Sequence, residues 1–221
     1  MQHDNSPLTF QALGEAALLC ELAPPATLAR QQRIWALAEL AAHWPHIREV
    51  LPGMNNLTLI FDPEQGDIAD YEARVRKAWP KLRGDQRAGR QIDIPVHYGG
   101  AAGPDLADVA AHTGLDAAEV VRRHTAGEYV VYFLGFLPGF AFMGGMEAKL
   151  ATPRRPEPRT AVSAGSVGIG GEQTGIYPLA SPGGWNLVGR TAQRLFDPGA
   201  ESPTLLLPGD RVRFVAERVE L

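Results

Sequence analysis

In residues 164–178, AGSVGIGGEQTGIYP, glycines are interspersed with β-branched and aromatic residues. This stretch lies within residues 135–199, which hold 13 of the 24 glycines and 7 of the 18 prolines in the chain. Glycine permits positive φ angles, bulges and close approach of the backbone to another group. Short strands with frequent turn signals are typical of barrels and sandwiches. We therefore predict a β-barrel domain over residues 89–221.

Upstream of the barrel, the pattern changes to helices that alternate with short strands. We expect a hairpin over residues 8–22 and two further strands at 47–51 and 56–61. Two amphipathic helices complete the pattern. One begins after Thr27 and the other after Asp67, because both residue types are good N-caps.

The order of these elements suggests a known sandwich type. A strand, a helix, two strands and a second helix are followed by a strand at residues 91–96, which is the order of a ferredoxin-like α/β sandwich. We place this small domain at residues 1–88. The predicted fold class is therefore α+β, with a ferredoxin-like domain followed by a β-barrel domain.

Two short helices are expected early in the barrel domain. Pro104 is predicted at the first position of one helix, where its missing N–H costs nothing, and Gly114 is predicted to end that helix. Asp116 and Glu119 form a capping-box pattern for the next helix, which ends near Gly127. Both helices precede the run of short strands.

Composition and charge exclude several classes of function. The formal net charge of −4, with no basic segment, argues against nucleic-acid binding. The single cysteine, Cys20, excludes a disulfide framework and fits a reducing compartment. No apolar run approaches the ~20 residues of a membrane span, and residues 1–7 lack the pattern of a signal peptide. We expect a cytoplasmic protein that binds neither membrane nor nucleic acid.

Several familiar catalytic and cofactor motifs are absent from the sequence. A nucleophile elbow needs glycine two residues before its serine, whereas Gly165 directly precedes Ser166. Residues 168–173 lack the last glycine of a dinucleotide fingerprint, and no lysine follows a glycine as a P-loop requires. His43 and His46 have no third ligand type nearby, so no metal site is predicted.

Basic residues are locally in excess in the glycine-rich region. Residues 134–196 include six basic side chains and three acidic ones. Arg154 and Arg159 belong to a proline-stiffened stretch, so their guanidinium groups can be aimed at a carboxylate or phosphate at little entropic cost. Surface salt bridges are the alternative interpretation, and we prefer it for Arg155 and Arg194.

Aromatic and polar residues in the turns of the same region suggest a small-ligand site. Phe136, Pro138 and Phe140 form an aromatic-flanked turn, which serves either as a groove wall or as a barrel corner. Polar groups that converge on an apolar wall are typical of small-ligand sites. The candidates on neighbouring turns are Gln173, Tyr177, Ser181 and Trp185.

Histidines are the side chains that titrate near neutral pH, and three of them belong to the barrel domain. His97, which is followed by Tyr98, Gly99 and Gly100, is a weak candidate for a catalytic group. His112 and His124 belong to the expected helices, so we interpret them as cap or surface residues. No other catalytic residue can be identified from the sequence.

A set of ordered sequence blocks resembles a known protein family. The blocks are Val96–Gly100, Gly103–Leu106, Leu134–Phe140, Ala164–Gly168, Gln173–Pro178, Ser181–Trp185, Gly189–Thr191 and Leu195–Pro198. In this order they are similar to the family of the B subunit of bacterial ATP-dependent 5-oxoprolinase. That family also includes the sporulation kinase inhibitor and allophanate hydrolase subunit 1, which is related to part of the carboxyltransferase region of urea carboxylase.

The resemblance carries expectations about fold, partners and chemistry. It implies a cyclophilin-like barrel and a heteromeric hydrolase in which this chain acts with the A and C subunits of 5-oxoprolinase. The complex would open 5-oxo-L-proline to L-glutamate while hydrolysing ATP, which is the cofactor implied for the complex and not assigned to this chain. The substrate carboxylate would need an arginine, and the candidates are Arg154, Arg159 and Arg190.

Two other functions remain open within the same resemblance. The first is a regulatory protein that inhibits a histidine kinase. The second is a carboxyltransferase component of the allophanate hydrolase or urea carboxylase type, which acts on urea-like amides. A shared fold and shared motifs do not separate them.

Overall fold

The fold is described for residues 6–84 and 89–221 of a computed structural model. Contacts between residues divide the chain into two units, Met1–Arg87 and Ala88–Leu221. We refer to them as the N-terminal unit and the barrel unit. None of the helices described in these ranges is long and apolar enough to cross a membrane.

The N-terminal unit is a four-stranded antiparallel sheet with two helices. The strand order is β1-β2-β4-β3. The expected hairpin is confirmed, and so are the two later strands. The elements are β1 (Leu8–Ala12), β2 (Ala17–Leu22), α1 (Leu28–Ala42), β3 (Ile47–Gly53), β4 (Asn56–Phe61), α2 (Ile68–Ala78) and a short 3₁₀ turn, Trp79–Lys81.

Both helices of this unit begin where the sequence predicts. The Thr27 hydroxyl accepts a hydrogen bond from the backbone N–H of Arg30, and the Asp67 carboxylate accepts one from Ala69. Ile34 and Leu37 on α1 are completely buried against the sheet, as the helical spacing of apolar residues predicts.

The barrel unit contains a closed barrel of seven strands in the order β10-β7-β6-β13-β5-β12-β9, while β8 and β11 form a separate two-stranded sheet. A mixed α+β fold with a β-barrel is therefore confirmed. Its elements are β5 (Gln91–Gly99), α3 (Leu106–Thr113), α4 (Ala117–Ala126), β6 (Tyr129–Leu134), β7 (Ala141–Gly144), a 3₁₀ turn (Ala148–Leu150), β8 (Arg159–Val162), β9 (Ser166–Gly170), β10 (Gln173–Ile176), β11 (Ser181–Gly183), β12 (Asn186–Arg190) and β13 (Arg211–Glu220).

The strand that follows the second helix belongs to the barrel. β5 pairs there with β12 and, in parallel, with β13. The fourth strand of the N-terminal sheet is instead β1, which precedes both helices of that unit. Long-range pairing of this kind leaves no local signal in the sequence.

One helix start in the barrel unit was predicted wrongly. Pro104 does not occupy the first position of α3, because Asp105 is the N-cap and the helix begins at Leu106. The predicted ends around it are confirmed. Gly114 terminates α3 at a φ of 68°, and the Asp116 carboxylate accepts a 2.7 Å hydrogen bond from Glu119 N.

Candidate functional site

A cluster of aromatic rings packs against glycine-rich strands of the barrel. We call Phe140, Tyr177 and Trp185 the aromatic cluster; all three are buried. The Phe140 ring centroid lies 5.4 Å from Tyr177 and 5.5 Å from Trp185, both edge-to-face. A Cβ atom on Gly170 would lie 2.5 Å from the Trp185 indole, so glycine at this position lets the ring approach the strand.

Phe136 stands out beside this cluster because it is exposed and strained. Its side chain is 63% exposed, and its backbone has a φ of 68°, which is unfavourable for a bulky residue. The N–H of Leu137 donates a 2.7 Å hydrogen bond to the Gly135 carbonyl across it, which closes a tight γ-turn. The ring therefore faces solvent at the edge of the cluster, 5.5 Å from the Phe140 ring, and Pro138 is also exposed.

A buried carboxylate holds two of the arginines in the proline-stiffened stretch. Asp105 is only 3% exposed, and its two oxygens accept two bonds from Arg159 at 2.7 and 2.8 Å. One of the same oxygens accepts a bond from Arg155 at 2.9 Å, and the other accepts the backbone N–H of Leu187 at 2.7 Å. We call Asp105, Arg155 and Arg159 the Asp105 cluster.

The Asp105 cluster corrects the interpretation of Arg155 as a solvated loop residue. Its guanidinium pairs with a buried carboxylate and its side chain is 31% exposed. Arg159 was predicted to bind a ligand, yet both of its terminal nitrogens donate to Asp105, and this partner raises the pKa of Arg159. Arg194 does form the expected surface salt bridge, with Asp197 at 2.8 Å.

Among the other predicted residues, Arg154 is close enough to Tyr177 to act on its phenol electrostatically. Burial raises the pKa of Tyr177, while a hydrogen bond from the Trp185 backbone and the charges of Arg154 and Arg159 oppose that rise. Arg154 is exposed. Ser181 is half-buried on β11, and half-buried Gln173 lies opposite Gly170, the glycine against which Trp185 packs.

A separate cavity of about 450 Å³ brings together Arg190 and His97, which we call the Arg190 cavity. These two residues are register partners on β12 and β5. The Nε2 atom of His97 is 2.9 Å from a Glu217 oxygen, and the Arg190 Nε donates to the Ala164 carbonyl at 3.1 Å. Pro178, next to Tyr177, also lines the cavity, so the two groups of predicted residues adjoin.

The sequence interpretation of His124 was wrong, because this residue is completely buried inside the barrel. Its Nδ1 lies 2.7 Å from the Tyr98 hydroxyl and its Nε2 lies 2.9 Å from the Thr174 hydroxyl. Thr174 donates its own proton to the Gly168 carbonyl, so it accepts from Nε2–H, and Nδ1 accepts from Tyr98. The network holds a neutral imidazole, and burial lowers the pKa of His124 to about 3.

A signal for this burial was present in the sequence. Val120 and Val121 precede His124 by four and three residues, so all three share one face of α4, and the structure buries all three. His112, in contrast, is exposed as expected. Among residues 6–84 and 89–221, no group of three or more histidine, cysteine or acidic side chains is placed to hold a metal ion.

Comparison with known proteins identifies the family. Residues 8–206 match the family described as carboxyltransferase domain, subdomain C and D. The chain belongs to this carboxyltransferase family. Its relatives include the B subunit of 5-oxoprolinase from Escherichia coli O157:H7, which is 52% identical over 93% of this chain and 94% of that protein. Proteins of the same name from Haemophilus influenzae and Bacillus subtilis are 46% and 45% identical, over 95% and 78% of this chain and 98% and 76% of theirs.

Solved structures share the fold of this chain. The crystal structure of TTHA0988 matches with a TM-score of 0.77 at 39% identity, over 90% of this chain and 40% of that one. The Kluyveromyces lactis urea amidolyase matches with a TM-score of 0.84 over 98% of this chain and 15% of that one. At 21% identity, the second likeness concerns the fold alone.

Proposed function

We propose that this chain is the B subunit of an ATP-dependent 5-oxoprolinase. The complex, formed with the A and C subunits, would open the lactam of 5-oxo-L-proline to L-glutamate while ATP is hydrolysed. The observation that carries the proposal is the 52% identity to the B subunit of a 5-oxoprolinase, which extends over 93% of this chain and 94% of that protein.

Coupling to ATP is chemically reasonable for this substrate, because an unstrained amide is a poor electrophile. In the proposed reaction, the terminal phosphoryl group of ATP moves to the lactam oxygen and ADP leaves. One water adds to the activated carbon, the ring C–N bond breaks and an acyl phosphate forms. A second water releases inorganic phosphate and leaves the carboxylate of glutamate. We assign none of these bond changes to a residue of this chain.

The predicted site residues are the proposed ligand-facing surface of this chain. Around the aromatic cluster they are Phe136, Pro138, Phe140, Arg154, Gln173, Tyr177, Ser181 and Trp185, and in the Arg190 cavity they are Arg190 and His97. Arg159 supports this surface by holding the proline-stiffened stretch to Asp105. A cavity of about 450 Å³ is within the range of small-molecule sites, roughly 300–1,000 Å³.

The finer description of the fold is also a proposal. We propose that residues 1–88 form a ferredoxin-like sandwich and residues 89–221 a cyclophilin-like barrel. A sheet with two helices supports the first, although its edge strand comes from the N-terminal end and not from after the second helix. The closed seven-stranded barrel supports the second.

The proposal is tested by reconstitution. Release of ADP and of glutamate is measured with 5-oxoproline, first with all three subunits and then with each one omitted. We expect turnover only in the full mixture. Full turnover without this chain would contradict the proposal. A stable complex that turns over urea-derived substrates instead would favour a carboxyltransferase component, and inhibition of a histidine kinase would favour the regulatory alternative.

A further inference from the structure

The Arg190 cavity differs from the rest of the predicted site in its charge balance. The ionisable side chains that line it all belong to basic residue types: Arg190, Arg194 and His97. Among the described residues, no aspartate or glutamate lines it. A concave site whose charged groups share one sign concentrates ligands of the opposite sign.

The partners of these three groups show where the uncompensated charge lies. Arg194 pairs with Asp197 at 2.8 Å, and His97 pairs with a Glu217 oxygen at 2.9 Å. Arg190 donates from Nε to a neutral backbone carbonyl, and no carboxylate in the part of the chain that the structure describes forms an ion pair with it. Among the described residues that line the cavity, Arg190 is therefore the one whose positive charge lacks an anion.

Strand pairing and one side-chain hydrogen bond also fix the position of Arg190 beside the cavity. Arg190 is the last residue of β12 and pairs with Ser166 of β9 and His97 of β5. The bond from Nε to Ala164 uses the donor nearest the aliphatic chain. Within residues 6–84 and 89–221 no acceptor is bonded to the two terminal nitrogens, which leaves them for a ligand. A guanidinium edge of this kind matches the two oxygens of a carboxylate.

We propose that the Arg190 cavity binds the carboxylate of a small lactam or amino acid, with Arg190 as the anchoring residue. If the proposed function holds, that ligand is 5-oxoproline or its product glutamate. One uncompensated arginine matches a singly charged carboxylate, whereas a nucleotide triphosphate requires several cations. The same reasoning removes Arg159 as the anchor, because Asp105 already occupies its terminal nitrogens.

Binding to the full chain tests the proposal without relying on turnover. Backbone amide NMR shifts are followed while sodium 5-oxoproline, 2-pyrrolidinone or sodium phosphate is added at constant ionic strength. 2-Pyrrolidinone has the same lactam ring without the carboxylate. We expect saturable shifts in the cavity with 5-oxoproline and at least tenfold weaker binding of 2-pyrrolidinone, because a hydrogen-bonded charge pair is lost.

Three variants locate the effect. Arg190→Gln is expected to weaken 5-oxoproline binding at least tenfold, and Arg190→Lys to restore part of it. Arg122→Gln removes an exposed arginine on α4 that pairs with Glu119 outside the cavity, and it should leave binding unchanged. The proposal fails if Arg190→Gln binds as tightly as the wild type, if 2-pyrrolidinone equals 5-oxoproline, if phosphate binds more tightly, or if no ligand binds saturably.

Turnover by the reconstituted complex separates this inference from the proposed function. With Arg190→Gln in the complex, the KM for 5-oxoproline should rise at least tenfold while the KM for ATP stays unchanged. An active complex with an unchanged KM for 5-oxoproline would overturn the inference and leave the function standing. An inactive wild-type complex, with Arg190-dependent carboxylate binding to the free chain, would overturn the function and leave the cavity assignment standing.

Discussion

Arg159 and Arg190 belong to the same barrel unit, but their guanidinium groups have different partners. Arg159 makes two bonds to the buried carboxylate of Asp105, which also binds Arg155 and a backbone N–H. Arg190 bonds to one neutral carbonyl and borders a cavity of about 450 Å³. In a stiff region rich in glycine and proline, an arginine can therefore either cross-link the fold internally or be left open to a ligand. The local presence of a buried carboxylate separates the two.

The largest expected effect is the loss of Asp105. In Asp105→Ala, two guanidinium groups and the Leu187 N–H lose their buried acceptor. We expect the free energy of unfolding of the full chain to fall by about 3 kcal/mol or more in urea titrations. Asp108→Ala, at an exposed acid in the first turn of α3, is the control and should cost less than about 1 kcal/mol. Equal losses in the two variants would remove the structural role assigned to the Asp105 cluster.

The buried polar network around His124 is the second one, after the Asp105 cluster. It makes a smaller contribution to the free energy of unfolding, and that contribution depends on pH. The unfolded chain protonates this histidine below about pH 6.5, whereas the folded chain keeps it neutral down to about pH 3. The unfolded state therefore binds the extra proton, and stability falls as the pH decreases through this window. The largest possible slope is about 1.4 kcal/mol per pH unit.

Urea unfolding between pH 6.5 and pH 4.5 isolates this contribution. The depressed carboxyl pKa values of Asp62, Asp93 and Glu119 mean that these acids lose their contribution mainly below pH 4.5, as the pH falls from their unfolded values through their folded ones. His124→Gln should flatten the pH dependence, whereas His112→Gln, at an exposed histidine, should leave it unchanged. An unaltered slope in His124→Gln would mean that the folded protein protonates this side chain.

Local features of the fold were predictable from the sequence, and long-range ones were not. The caps at Thr27, Asp67 and Asp116 and the left-handed Gly114 follow from the chemistry of single residues. The start of α3 was predicted too early, because proline favours the first turn of a helix. The structure instead uses Asp105, the next residue, as the N-cap. The placement of β5 in the barrel depends on its pairing with β13, about 120 residues away, which no local pattern encodes.

Part of the candidate site followed from the sequence in the same way. Aromatic residues at turns suggested a cluster, and the structure brings Phe140, Tyr177 and Trp185 together. The sequence could not distinguish Arg159 from Arg190, because Asp105 is 54 residues from Arg159 along the chain. Family resemblance supplied the proposed reaction, whereas neither spacing nor composition indicated a lactam substrate.

The most direct test of the contrast between the two arginines is urea unfolding of the wild type, Arg159→Gln and Arg190→Gln, each with sodium 5-oxoproline or with sodium chloride at equal ionic strength. A ligand that binds only the folded state raises the free energy of unfolding. We predict that Arg159→Gln is less stable than the wild type but keeps the increment from 5-oxoproline. Arg190→Gln should match the wild type in chloride and lose that increment. The opposite pattern, with the increment lost in Arg159→Gln and kept in Arg190→Gln, would contradict the account.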